Sequence, residues 1–189
     1  MLKWLFRRQI AGFERTWNYD SSYARDMLDA DPKALLAFGK VMGLSRYRKD
    51  VPVAPYYAAK IVSVMAEDCG PCTQLVVDMA AREGVAPEVL RAIVARDVEA
   101  MPDDVALAAG FADATLRHAP EAEAKRQAVL DCWGRRGLVS LAFAILAGRM
   151  FPTVKYALGH GHACMRITIA GETRPVLRAL SAEREGAVA

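Results

Sequence analysis

Apolar residues recur every three or four positions along almost the whole chain, and that period admits helices and little else. Tyr57, Ile61, Val64 and Met65 share one face, Cys72, Leu75, Val76 and Met79 a second, and Leu90, Ile93 and Val94 a third. A fourth face comprises Leu138, Leu141, Ala142, Ile145 and Leu146. The punctuation agrees. Gly84 suits a helix C-terminus and Pro87-Glu88 the first turn of the next helix. Asp103 and Asp104 follow Pro102, and Glu121 and Glu123 follow Pro120, so negative charge gathers where helices should begin. The pattern predicts helices over 2–16, 21–29, 32–45, 54–68, 70–83, 87–98, 103–118, 121–135 and 138–158. Only Arg166 to Ala170 is strand-like, and one short strand cannot make a sheet. The expected fold class is all-α, a helical bundle.

A chain of 189 residues, just over half of it apolar, has enough material for a core of ordinary size. Its net charge of +3 is small, and the cations are scattered among nearly as many anions, which argues against nucleic acid as a partner. No apolar run reaches the roughly 18–20 residues that span a bilayer, because the one from Leu138 to Gly148 stops at Arg149 and Pro152. The start of the chain has Arg7, Arg8 and Arg15 but no secretory h-region, and is read as a first helix laying Trp4, Leu5 and Ile10 on the core. A membrane is therefore not expected as a partner, and the cytoplasm is the expected location. Three regions follow: 1–52, an N-terminal helical segment packing on or extending the core; 53–165, the core; and 166–189, a charged tail, mobile or a short helix.

Four cysteines do not make a disulfide scaffold at this length, so attention falls on the pair within Met-Ala-Glu-Asp-Cys69-Gly-Pro-Cys72. Cysteines three apart on a helix share a face, close enough to form a disulfide. Pro71 is tolerated only in a first turn, which puts Cys69 at or just before a helix N-terminus. Unpaired amides and the positive end of the helix dipole favour a thiolate there, and such settings bring a cysteine from about 8.5 to roughly 3.5–7.5. Glu67 and Asp68 oppose this with negative charge, and Glu67 is a candidate proton acceptor. The same four residues form the thioredoxin motif, but that fold needs a strand leading into it, and Pro55 to Asp68 has a helical period.

From about Val53 to Cys164 the chain resembles the AhpD-like, or carboxymuconolactone decarboxylase-like, family. The likeness rests on a helix entering Cys69-Gly70-Pro71-Cys72, a second running to Arg82-Glu83-Gly84, and the step Val85-Ala86-Pro87-Glu88 opening a third. The segment from Ala147 through Arg149, Phe151-Pro152 and Lys155 to Gly159 adds to it. The resemblance implies an AhpD-like helical bundle, usually a homo-oligomer, built around a redox dithiol and needing no bound cofactor. It implies weak peroxide reduction, or electron transfer between a lipoyl-type donor and a peroxiredoxin partner, with Cys72 attacking and Cys69 resolving. Three positions depart from the family pattern. Val76 stands where active members have a histidine, Tyr57 where they have a glutamate, and Pro71 where some carry a histidine between the cysteines. General-base help is worth about 10²–10⁴-fold, so its loss weighs against peroxidase chemistry and favours disulfide exchange. The rival reading is a non-catalytic oligomeric scaffold that kept the fold and lost the relay.

The remaining candidates are His160, His162 and Cys164, which with the dithiol could form a zinc set, although 88 residues of spacing make that pattern uninformative. A histidine folding back onto the dithiol would replace the missing relay. Cys132 is read as a small core residue beside Trp133, and His118 as a cation at a helix C-terminus. Trp17, Tyr19 and Tyr23 are read as core aromatics able to line a pocket.

Overall fold

The computed structural model describes residues 2–161 and 166–175. Among these are eight α-helices: α1 (Leu2–Trp17), α2 (Ser22–Ala30), α3 (Pro32–Val41), α4 (Val53–Met65), α5 (Gly70–Arg82), α6 (Pro87–Ala95), α7 (Asp103–Arg117) and α8 (Ala122–Ala157). Among the described residues the fold is all-α apart from one small hairpin.

Helix α4 is apolar but for Lys60 and Ser63, a composition suited to the interior. Every residue from Pro55 to Val64 is buried, with α5, α7 and α8 around it. Helices α4 and α8 approach closely at Gly148. A Cβ there would lie 2.5 Å from Ser63 Cβ and 2.9 Å from the Lys60 carbonyl oxygen. Ala144 and Ala147 on α8 and Ala58 and Ala59 on α4 are further small, buried residues of these two packed helices.

Helices α1–α3 carry a second apolar cluster of Ile10, Tyr19, Tyr23, Ala24 and Leu28, against which Leu75 of α5 packs. The inward stripe of α1 runs Phe6, Ile10, Phe13, Trp17, at helical spacing. Trp4 and Leu5 fall off that stripe and are 64% and 46% exposed, which corrects their assignment to the core. The third expected helix is also shorter than read: α3 ends at Val41 and a 3-10 turn covers Leu44–Arg46.

The two helices expected over 121–135 and 138–158 are the two arms of α8, which meet at a kink where the backbone leaves helical geometry at Gly134 (φ 67°, ψ −173°). Two further expectations are corrected. Over one stretch of 18 residues α8 is apolar enough to cross a membrane, with a mean hydropathy of 1.6, and 44% of that stretch is buried inside the protein. Arg149 alone therefore does not disqualify it. Cys132 is exposed, because Val129 and Trp133, four apart, carry the buried face of this part of α8.

The lone strand is in fact half of an antiparallel hairpin, β1 (Arg166–Ile169) and β2 (Glu172–Pro175), so the residues after Gly171 begin as a strand. Ala170 and Gly171 both have positive φ (49° and 83°), the conformation of a tight two-residue hairpin turn. Polar, proline-terminated β2 has no apolar alternation to reveal it. The hairpin docks on α5: Ile167 and Ile169 join the core, and the Gln74 side chain donates to the Thr168 carbonyl (2.9 Å) and accepts from its amide (2.8 Å).

Replacing Gly148 by Ala is expected to destabilise the fold by about 2 kcal/mol, because the added methyl meets backbone rather than a flexible side chain. Urea unfolding checks this, and an unchanged midpoint would contradict the tight crossing.

Candidate functional site

Cys69 is the N-cap of α5, with extended backbone (φ −105°, ψ 92°), and Pro71 occupies the first turn, where a missing N–H costs nothing. The Thr73 amide and hydroxyl both donate to the Cys69 carbonyl, at 2.9 and 3.0 Å, which locks that turn. The two cysteines form a disulfide with Cα atoms 5.3 Å apart. Both are buried, at 1% exposure for Cys69 and 4% for Cys72.

The two sulfurs are not equivalent. Cys72 is on the wall of an apolar cavity of about 530 Å³ that lies between α1–α3 and the core. The Tyr19 hydroxyl is 3.7 Å from Cys72 Sγ, and since a disulfide sulfur carries no hydrogen, the tyrosine is the donor. Burial, then the neighbouring Tyr23 and Asp20, raise the Tyr19 phenol far above its ordinary range. It therefore keeps its proton at neutral pH.

Behind Tyr19 stands Lys155, a buried side chain of α8. Its Nζ is 4.6 Å from the Tyr19 ring centroid and 5.9 Å from that of Tyr23, and it donates to the Asp20 carbonyl at 3.4 Å. Burial lowers its pKa, and Asp20 partly offsets this. A phenol held on sulfur with a cation over its ring is a stabilising setting for a Cys72 thiolate once the disulfide is reduced. In the sequence Tyr19 is legible as an aromatic able to line a pocket, and Lys155 carries no expected role at the site. The available signal was a charged residue at helical spacing from Gly148 and Pro152 on a buried face.

Glu67, the expected proton acceptor, is held by two side chains of α8. Its carboxylate accepts from Arg149 Nε at 2.7 Å and from the Thr153 hydroxyl at 3.4 Å. That ion pair counters the adverse charge beside the dithiol, and it leaves Tyr19 as the polar side chain on sulfur. Val76 lies on the cavity wall, and Tyr57 donates to Glu83 Oε1 at 2.7 Å. His160 does not fold back onto the dithiol: its Nε2 is 2.6 Å from Asp26 Oδ2 on α2. His162 and Cys164 lie outside the described residues. Among the described residues no three His, Cys, Asp or Glu side chains gather as a metal site. His118 is the C-cap of α7, in left-handed backbone geometry.

A second buried cation, Lys60 of α4, also lines this cavity, where it adjoins another of about 550 Å³. Its Nζ donates to the Ser45 carbonyl at 2.7 Å and lies 5.3 and 5.6 Å from the ring centroids of Tyr56 and Tyr57. Burial brings its pKa down to about 8; Glu83 acts to raise it and Arg46 to lower it further.

Two measurements follow. Tyr19→Phe removes the donor to sulfur, so the alkylation midpoint of Cys72 in the reduced protein should rise by about one pH unit. An unchanged pH profile would show that the phenol does not stabilise the thiolate. For Lys60, the unfolded chain binds a proton between about pH 8 and 10.5 that the folded chain has released, so stability gains as pH rises through that window. From pH 8 to pH 10 the oxidised wild type should gain about 2 kcal/mol relative to Lys60→Met in urea unfolding, and parallel curves would refute the shift.

No protein-family model matches the chain, nor does any curated protein or solved structure.

Proposed function

We propose that the chain is a thiol–disulfide oxidoreductase of the AhpD-like, or carboxymuconolactone decarboxylase-like, type, working through Cys69 and Cys72 with Cys72 as the entry sulfur. The observation that carries this reading is the position of Cys72: on a cavity wall, in a disulfide with a residue at a helix N-terminus, with the Tyr19 hydroxyl on its sulfur.

The reaction begins from the dithiol. The Cys72 thiolate attacks one sulfur of an acceptor disulfide, forming a mixed disulfide and expelling the other sulfur as a thiolate, which takes up a proton. The Cys69 thiolate then attacks Cys72 Sγ, the second acceptor thiolate leaves, and the Cys69–Cys72 disulfide forms. Two electrons pass from the dithiol to the acceptor. With a hydroperoxide as acceptor, Cys72 takes the terminal oxygen as a sulfenic acid, an alcohol leaves, and attack by Cys69 expels hydroxide, which is protonated to water. A lipoyl-type dithiol returns the two electrons, and a peroxiredoxin is the corresponding protein acceptor. Tyr19 stabilises the attacking thiolate through a hydrogen bond. Being held as a protonated phenol, it is a poor general base, which favours disulfide exchange over peroxide reduction.

Burial of both sulfurs favours a second reading, an oligomeric scaffold whose disulfide only ties α5 to the turn before it. The two readings part on a simple assay. The protein is reduced with dithiothreitol, desalted and mixed with an aromatic disulfide. Beyond the background from Cys132 and Cys164, common to all three proteins, wild type should release two thiol equivalents per chain from the acceptor and regain the Cys69–Cys72 disulfide. Cys69→Ser should stall as a mixed disulfide on Cys72, and Cys72→Ser should slow release above that background by about 100-fold or more. Equal rates in wild type and Cys72→Ser, or a native disulfide that resists dithiothreitol, would leave the scaffold reading standing. Consumption of cumene hydroperoxide with dihydrolipoamide tests the peroxide branch in the same three proteins.

A further inference from the structure

The cavity beside Cys72 has a chemical character of its own. Its walls come from α1–α5 and α8 and are mostly hydrocarbon, with Ile10, Phe13, Phe38, Leu75 and Phe151 among them. Its volume of about 530 Å³ is that of a small-molecule site, for which roughly 300–1,000 Å³ is usual. Two lysines interrupt this apolar lining, exposed Lys40 of α3 and Lys60 of α4, and of the two Lys60 is the buried one, a residue only 6% exposed.

Among the described residues no carboxylate lies within 4.0 Å of Lys60 Nζ; one carbonyl and two tyrosine faces are what hold it. Glu83, which lines the adjoining cavity, is already engaged by the Tyr57 hydroxyl and faces Arg48. That second cavity also carries Arg46 and Arg82, so the surroundings of Lys60 are cationic on balance. A buried cation without its own counter-ion is costly, and it is complemented by an anion brought in from outside. The room available to the rest of such a ligand is hydrocarbon.

We propose that this cavity binds a medium-chain aliphatic carboxylate, with the carboxylate on Lys60 and the alkyl chain among Ile10, Phe13, Phe38 and Leu75, running past Cys72. The site needs both features together: the cation selects the head group and the walls select the chain. The binding goes beyond the redox reading and requires no turnover at the dithiol, since it is a property of the oxidised protein.

Isothermal titration of the oxidised, full-length protein with octanoate, decanoate and 1-decanol tests it. Decanoate should bind more tightly than octanoate, approaching about fourfold per added methylene. It should also bind about tenfold or more tightly than 1-decanol, whose chain is the same and whose head group is neutral. In Lys60→Met the preference for decanoate over 1-decanol should disappear while 1-decanol binding persists. Leu35→Trp, which fills the cavity from α3, should weaken both ligands alike. No heat of binding for decanoate, equal affinity for decanoate and 1-decanol in wild type, or no dependence on chain length would each overturn the proposal. These comparisons are made on wild type, so they decide the matter even if a variant fails to fold. Because no thiol reaction is measured, failure here leaves the oxidoreductase reading untouched, and a dead dithiol would leave this one intact.

Discussion

The crossing of α4 and α8 at Gly148 sets the positions of nearly everything of chemical interest in this protein. With no side chain at Gly148, the two backbones approach until Ser63 and the Lys60 carbonyl fill the gap. One turn beyond the crossing, α4 ends and the chain swings through Asp68, in left-handed geometry, into the N-cap position of Cys69. Beyond the same crossing, α8 delivers Arg149 to Glu67, Phe151 to the cavity wall and Lys155 to Tyr19. Were the two helices held farther apart, the dithiol and its neighbours on α8 would separate.

Two buried lysines stand near the cavity, Lys60 on its wall and Lys155 behind Tyr19, and the protein treats them alike. Lys60 lies against Tyr56 and Tyr57 and donates to a carbonyl; Lys155 lies against Tyr19 and Tyr23 and donates to another. Neither has a carboxylate within ion-pair distance among the described residues. Ring quadrupoles and carbonyl dipoles offset only part of the desolvation of an ammonium, and this shows in the lowered pKa of both. The tyrosines in turn are pushed up by burial, Tyr56 to about 12, so they remain donors. The cavity is thus rimmed by cations and phenols of unusual acidity, a setting associated with binding and catalysis more often than with packing alone.

Much of the architecture can be read from spacing. Pro71 and Pro87 each lie in a first helical turn, Asp31 caps the helix that Pro32 opens, and Gly84 follows the end of α5. These are local rules of backbone geometry, and they place the cysteine pair at a helix N-terminus before any tertiary contact is considered. Orientation was less legible. Trp4 and Leu5 were assigned inward because they are large and apolar, yet the stripe from Phe6 to Trp17 turns them to solvent. Cys132 fails in the same way, lying off the face defined by Val129 and Trp133. The β2 strand stayed hidden because Gln74 and the hairpin turn hold it, and its own polar residues announce nothing.

By itself the sequence determined the helical class, most helix starts and the placing of Cys69 and Cys72 on one turn, because each depends on residues within a few positions of one another. Only the tertiary structure decided which sulfur meets the cavity, that Tyr19 and Lys155 stand beside it, that Glu67 answers to Arg149, and that Lys60 is buried without a carboxylate. Those relations join residues up to 135 positions apart, as between Asp20 and Lys155. Hydrophobic periodicity says that a face is buried but not against what, so the partners emerge only when the helices pack.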